Sequence, residues 1–186
     1  MHFAAVLLGF AFFSVSTSSQ TFPDNNPKLG RYQNDVNFFP SKEPWYLVYE
    51  NFDYDPIFND NGTCVRMTGK SREDGNTMFA TAEFWPSPPM ELDVALTSSP
   101  GYDVDNVIVI TNPKEPSETF NLTIAYIEPE TCVIVRHSYV DEGKGCSYWV
   151  PESQLGKTIR CCEFIFDLLC GTPQKYTIYE DGGCPE

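Results

Sequence analysis

Thr119–Val150 reads TFNLTIAYIEPETCVIVRHSYVDEGKGCSYWV, three β-rich runs (Thr119–Ile127, Cys132–Tyr139 and Cys146–Val150) parted by short turns. Strands joined this closely must be antiparallel neighbours, because a parallel return needs a crossover of a dozen residues or more. Upstream the pattern repeats five more times, at Trp45–Asp53, Thr63–Lys70, Thr77–Trp85, Glu91–Thr97 and Val104–Thr111. The separators are turn clusters such as Asn59–Gly62, Arg72–Gly75, Pro86–Pro89, Ser98–Gly101 and Asn112–Pro116. Eight sequential strands imply a meander closed on itself or a two-sheet sandwich, since an open sheet would leave two bare edges. Downstream, Thr158–Cys170 (TIRCCEFIFDLLC) places Thr158, Ile159, Cys162, Ile165, Phe166 and Leu169 on one side of a helical period, and Arg160, Glu163 and Asp167 on the other. Gly171 and Pro173 stop it. The apolar face of such a helix needs a sheet to lie on. An all-β chain, with an eight-stranded antiparallel barrel and one C-terminal α-helix packed on the wall, is what these pieces build. A barrel of that size has an interior able to hold one small ligand.

Composition agrees with a single filled domain. The 186 residues are 41% hydrophobic and 15% aromatic, enough for one core despite a formal charge of −14. Twelve Lys and Arg against 26 Asp and Glu would repel a polyanion, which argues against nucleic acid and anionic membrane as partners. The same charge would favour cations, or simply keep the chain soluble.

Residues 1–18 (MHFAAVLLGFAFFSVSTS) form an apolar run followed by small residues, a signal peptide to be cleaved, leaving 19–186 as one domain. The run is too short to cross a bilayer, which takes about 20 residues. A secreted, extracellular chain meets an oxidising compartment, so its seven cysteines read as a disulfide framework with one thiol left over. Asn61 and Asn121 open glycosylation sequons. The mature chain has a single histidine, His137, read here as a strand residue. No hydrolase, phosphate-loop or calcium-loop motif accompanies it, so no enzyme, metal or cofactor is expected.

Trp45-Tyr-Leu-Val-Tyr49, Asp55-Pro56 and Cys64-Val65, followed by Cys132, Trp149-Val150, Cys162, Phe166-Asp167, Cys170-Gly171 and Cys184, resemble the tick salivary lipocalins of the histamine-binding protein family. The resemblance runs from about Tyr32 to Cys184. It implies a secreted lipocalin-like barrel, a single lipocalin domain, with bridges Cys64–Cys184 and Cys132–Cys162. Cys146–Cys170 follows the six-cysteine members. Cys161 is then the odd thiol, either buried and inert, which is favoured, or linking two chains; otherwise the chain is expected to be a monomer. The helix phase agrees, because Cys162 lies at the centre of the apolar face and Cys161 on its flank.

The resemblance also implies a cargo: a small host mediator, held to suppress host inflammatory and immune defence. Amine-binding members place carboxylates among aromatic rings inside the barrel. Asp55 matches one acidic position, Phe52 and Phe58 match neighbouring aromatic ones, and Glu91 is a second candidate acid. Phe120, Tyr126 and Trp149 complete the expected ligand-binding set. Several acids of the pattern are replaced, by Val133 after Cys132 and by Ser147 before Trp149; none follows Phe120, and near Pro40 only Asp35 offers a substitute. Those losses favour a hydrophobic lipid mediator or sterol over histamine or serotonin. Arg66 or Arg136 would then meet a ligand carboxylate, and Tyr49, Tyr126 or Tyr139 a hydroxyl. The alternative is an immunomodulator acting through its outer surface on a host receptor, complement component or immune cell.

Overall fold

The computed structural model describes residues 21–56, 64–72, 78–114, 116–180 and 184. The leader, Phe58 and Asn61 lie outside them. Eight strands follow in order: β1 (Trp45–Glu50), β2 (Cys64–Ser71), β3 (Met78–Trp85), β4 (Met90–Thr97), β5 (Val107–Thr111), β6 (Thr119–Glu128), β7 (Cys132–His137) and β8 (Gly145–Pro151). Each pairs antiparallel with the next, and β1 pairs with both β8 and β2, so the sheet is a closed eight-stranded barrel. β5 starts later than the sequence suggests, at Val107, although the Asn106 backbone still bonds Thr97 of β4 and Ile124 of β6 while its side chain caps a turn. Its side-chain oxygen accepts from the Ser99 amide at 2.8 Å.

Alternation fills the interior. Leu47, Val65, Met67, Ala80, Ala82, Phe84, Leu92, Val94, Ile108, Ile110, Leu122, Ile124, Val133, Val135 and Trp149 form one buried cluster. A strap of two 3-10 turns (Pro27–Tyr32 and Asp35–Asn37) precedes β1 and plugs one end with aromatic rings. Phe38 meets Phe39 and Trp45 edge to face, with centroids 4.7 and 5.0 Å apart. Phe39 lies directly on Gly69, where a Cβ would come within 2.2 Å of the ring, so the plug requires glycine there.

The seam between β1 and β2 is short. They pair only at Trp45↔Met67 and Tyr46↔Arg66. Beyond, that edge of β1 is taken by a ninth strand that the sequence did not announce, β9 (Tyr176–Thr177), paired with Tyr49 and Glu50. β8 holds the same two residues from the opposite edge.

Helix α1 (Arg160–Cys170) lies on the outer wall, with Cys162 and Phe166 buried against Ile134, Tyr148 and Val150. Cys132–Cys162 and Cys146–Cys170 staple it to β7 and β8, and Cys64–Cys184 ties the chain end to β2. Cys161 is free and exposed, so the burial expected of that thiol does not occur: its flank of the helix faces solvent, as do Phe164 and Leu168.

A buried ion pair joins the strap to this wall. Arg136 Nε and Nη2 both donate to the Asp24 carboxylate at 2.7 Å, and the same guanidinium reaches the Gly143 and Leu169 carbonyls at 3.1 and 2.9 Å. Its contact with Leu169 places a cation at the C-terminal end of α1, where the helix dipole favours it. The ring of Phe22 covers the guanidinium at 4.3 Å. Replacing Asp24 with Ala strands the buried charge and is expected to cost about 3–5 kcal/mol of unfolding free energy, measurable by urea denaturation.

Asp35 is fully buried in the strap, and both its carboxylate oxygens lack a hydrogen-bond partner among the described residues. Burial, reinforced by the nearby Asp105, pushes its carboxyl from 3.8 up to about 7. A raised carboxyl binds its proton more tightly in the folded chain, so its contribution is full at low pH and lost as pH rises from 3.8 to about 7. Asp35→Asn is therefore expected to stabilise the protein at pH 8, by about 1–3 kcal/mol, and to leave it nearly unchanged at pH 4. Urea midpoints at the two pH values check this.

Candidate functional site: an acidic end inside the barrel

Away from the aromatic plug, the barrel interior keeps a cavity of about 40 Å³. Leu47, Val65, Met67, Phe84, Leu122 and Trp149 make its apolar side, and Ile178 enters from the chain just after β9. Glu50, Asp55 and His137 make its polar end. A larger groove of about 480 Å³, lined by Pro40, Lys42, Glu130 and Gln154 among others, lies at the end closed by the strap and holds none of the expected ligand residues.

Glu50 reaches the interior through a break in alternation. The register of β1 against β8 slips between Leu47 and Tyr49, a bulge centred on Val48. Leu47 stays inside, Tyr49 turns out to stack on Tyr148 beneath the helix, and Glu50 turns in. Strict alternation from Trp45 and Leu47 would have put Glu50 outside, which is why the sequence did not single it out.

The polar groups form a chain of hydrogen bonds with one direction. Trp149 Nε1–H donates to Ser147 Oγ at 2.8 Å, and Ser147 Oγ lies 2.7 Å from His137 Nε2. Tyr139 Oη is 2.9 Å from His137 Nδ1 and donates to Asp55 Oδ2 at 3.0 Å. With the tyrosine proton committed to Asp55, Nδ1 must be the donating nitrogen, and Nε2 accepts the Ser147 proton. His137 is thus neutral with its proton on Nδ1. Burial drives its pKa down to about 4, with Arg136 adding to the effect and Asp55 opposing it. The Tyr139 hydroxyl is pushed far up by burial and by Asp55, so it remains a donor.

The expected residues divide between the two sides of the wall. Asp55 and Trp149 line the cavity. Phe52 is buried edge-on to His137 at 5.1 Å, and Phe120 packs edge-on to Tyr139 at 5.9 Å, so both hold the polar chain in place. Glu91 does not reach the cavity. It alternates with the inward Leu92 and pairs with Arg72 at 3.1 Å on the outside. Tyr126 also faces out, because β6 carries a second register slip between Ile124 and Tyr126, and its hydroxyl donates to Glu128 at 3.0 Å. Asn121 is exposed on the outer face of β6. Neither arginine meets the interior: Arg66 pairs with Glu83 at 2.7 Å on the outer wall, and Arg136 with Asp24. His137, Ser147 and Glu50 were missed as site residues. The first two share the inward parity of Val133, Val135 and Trp149, a signal the sequence does contain.

A His137 pKa depressed by folding makes the stability of this site fullest above 6.5 and lost as pH falls towards about 4. The wild type is expected to lose on the order of 3 kcal/mol across that window through this group. His137→Phe should remove that loss and so raise stability at pH 4 relative to pH 7, against wild type, by about the same amount; urea midpoints of both proteins at the two pH values test it.

A family model described as "Tick histamine binding protein" matches residues 23–186. No curated protein matches the chain by sequence. Among solved structures, AM182 in its serotonin complex is similar with a TM-score of 0.54 and 16% identity, over 78% of this chain and 87% of that one. Japanin from Rhipicephalus appendiculatus, bound to cholesterol, gives 0.52 and 13%, over 78% and 97%. LTBP1 in its LTC4 complex gives 0.51 and 11%, over 87% and 97%.

Proposed function

The chain belongs to the tick histamine-binding protein family, a family of binding proteins, and on that premise we propose that it is secreted and captures a small protonated amine with an apolar body. It acts by stoichiometric sequestration without turnover, and thereby withholds a host inflammatory mediator. The observation that carries the reading is the pair of acids inside the barrel: Glu50 and Asp55 line the cavity, and no described lysine or arginine does. An ammonium taken out of water costs several kcal/mol unless a carboxylate pairs with it. The ring of Trp149 and the apolar side chains opposite suit an aromatic body.

The same pair disfavours the fatty-acid and leukotriene class that the missing family acids suggested. A ligand carboxylate would be buried beside two protein carboxylates, with Arg66 and Arg136 committed elsewhere. The acids lost at Val133 and Ser147 are replaced in role by Glu50, which the β1 bulge delivers. A neutral sterol hydroxyl is the weaker second reading, favoured by the apolar wall and by an Asp55 able to accept it.

Calorimetry of the secreted protein with serotonin, histamine, arachidonate and cholesterol tests this. Serotonin or histamine is expected to bind one per chain, and Glu50→Gln or Asp55→Asn to weaken it by about 10–100-fold, as for loss of a charged hydrogen bond. Tight arachidonate binding with no response to either amine would overturn the proposal.

A further inference from the structure

The geometry points to the C-terminal tail as the moving wall of the barrel, with Ile178 as the residue that determines which ligand bodies fit. This rests on the reading of the barrel as a ligand site, and concerns how that site makes room. The cavity of about 40 Å³ has room for a few waters at most, whereas pockets that take small molecules run to about 300–1,000 Å³. Some part of the lining must therefore leave when a ligand enters.

Of the described apolar side chains around the cavity, Ile178 alone comes from outside the eight barrel strands. The others sit in strands of six to ten residues, Met67, Leu122 and Trp149 paired on both sides and Leu47, Val65 and Phe84 on one, so moving any of them would break into a longer run of backbone hydrogen bonds. Ile178 hangs from a two-residue strand. Its amide and that of Tyr179 share one acceptor, the Val48 carbonyl, at 2.9 and 3.2 Å. Tyr179 adds an edge contact to Tyr46 at 5.7 Å.

The tail lies where β1 and β2 have stopped pairing, so its displacement opens a gap in the wall and vacates space inside in one movement. Both ends of the segment stay anchored. Cys170, at the end of α1, is bridged to Cys146, and Cys184 is bridged to Cys64 on β2. The segment can bow outward without coming free. Tyr176 of the tail pairs with Glu50, so the gap lies beside one of the two acids that line the cavity.

Size at position 178 should then control affinity in both directions. The test uses wild type, Ile178→Ala and Ile178→Trp, with two probes: serotonin, and the uncharged fluorophore N-phenyl-1-naphthylamine, which needs no carboxylate. Ile178→Ala is expected to bind the uncharged probe about tenfold tighter than wild type, and Ile178→Trp about tenfold weaker, with unchanged near-UV circular dichroism in both. Hydrogen exchange provides a readout that simple packing loss would not move. Saturating probe should speed exchange at the Ile178 and Tyr179 amides of wild type by about tenfold or more and leave Leu47 and Trp149 protected. Affinities within about twofold across the three proteins, or unchanged exchange in the tail, would overturn the inference. If serotonin fails while the uncharged probe follows residue 178, the amine reading falls and the tail inference stands. If serotonin binding depends on Glu50 and Asp55 but not on residue 178, the reverse holds. Failure of all three proteins to bind either probe removes both.

Discussion

In a closed antiparallel barrel the strict alternation of side chains leaves each wall residue either inside or outside, and the rest of this structure depends on where that alternation is kept and where it is broken. Kept, it builds the core from Leu47 round to Trp149. Broken at Val48, it turns Tyr49 out to the helix and Glu50 in to the cavity. Broken again between Ile124 and Tyr126, it sends Tyr126 out and keeps Ile127 in the core. The Val48 bulge does two jobs with one extra residue. It supplies the second interior acid, and its carbonyl receives both amides of the tail.

Neighbouring residues of β7 show how differently the two sides treat charge. Arg136 faces out but is buried by the strap and helix, where a carboxylate, two carbonyls and a ring surround its guanidinium. His137 faces in, where burial makes the neutral form the stable one. The cation on the outer side lowers the pKa of the imidazole on the inner side, so the ion pair that fastens the strap also helps keep the barrel interior free of a positive histidine. Outside, the three bridges confine the helix and tail. They leave Ile178 as a described apolar part of the lining that hangs from only a two-residue strand.

The period-two runs and their turns predicted the barrel, and the helical phase of Thr158–Cys170 placed Cys162 against it. Three bridges implied by family resemblance form as expected. What could not be seen was whatever depends on a register slip or on contacts between distant segments. Glu50 and Tyr126 each exchanged sides through a bulge, an event with no composition signal in WYLVYE or TIAYIE. β9 is two residues long and exists only because β1 has a vacant edge, so its local sequence carries no strand pattern. Glu91, by contrast, was legible as outward from its alternation with Leu92. The family pattern, loose in that region, pulled the reading the other way.

The excess of acid acquires meaning only once the cations are located. Twelve basic residues against 26 acidic ones say little about cargo, because a surface can carry that imbalance with no consequence for the interior. In the folded chain the bases nearest the barrel wall are committed outside: Arg66 to Glu83, Arg72 to Glu91 and Asp93, Arg136 to Asp24, and Lys175 to Asp167. Scarce cations spent on the outer face leave the inner face with Glu50 and Asp55 and a histidine that burial keeps neutral.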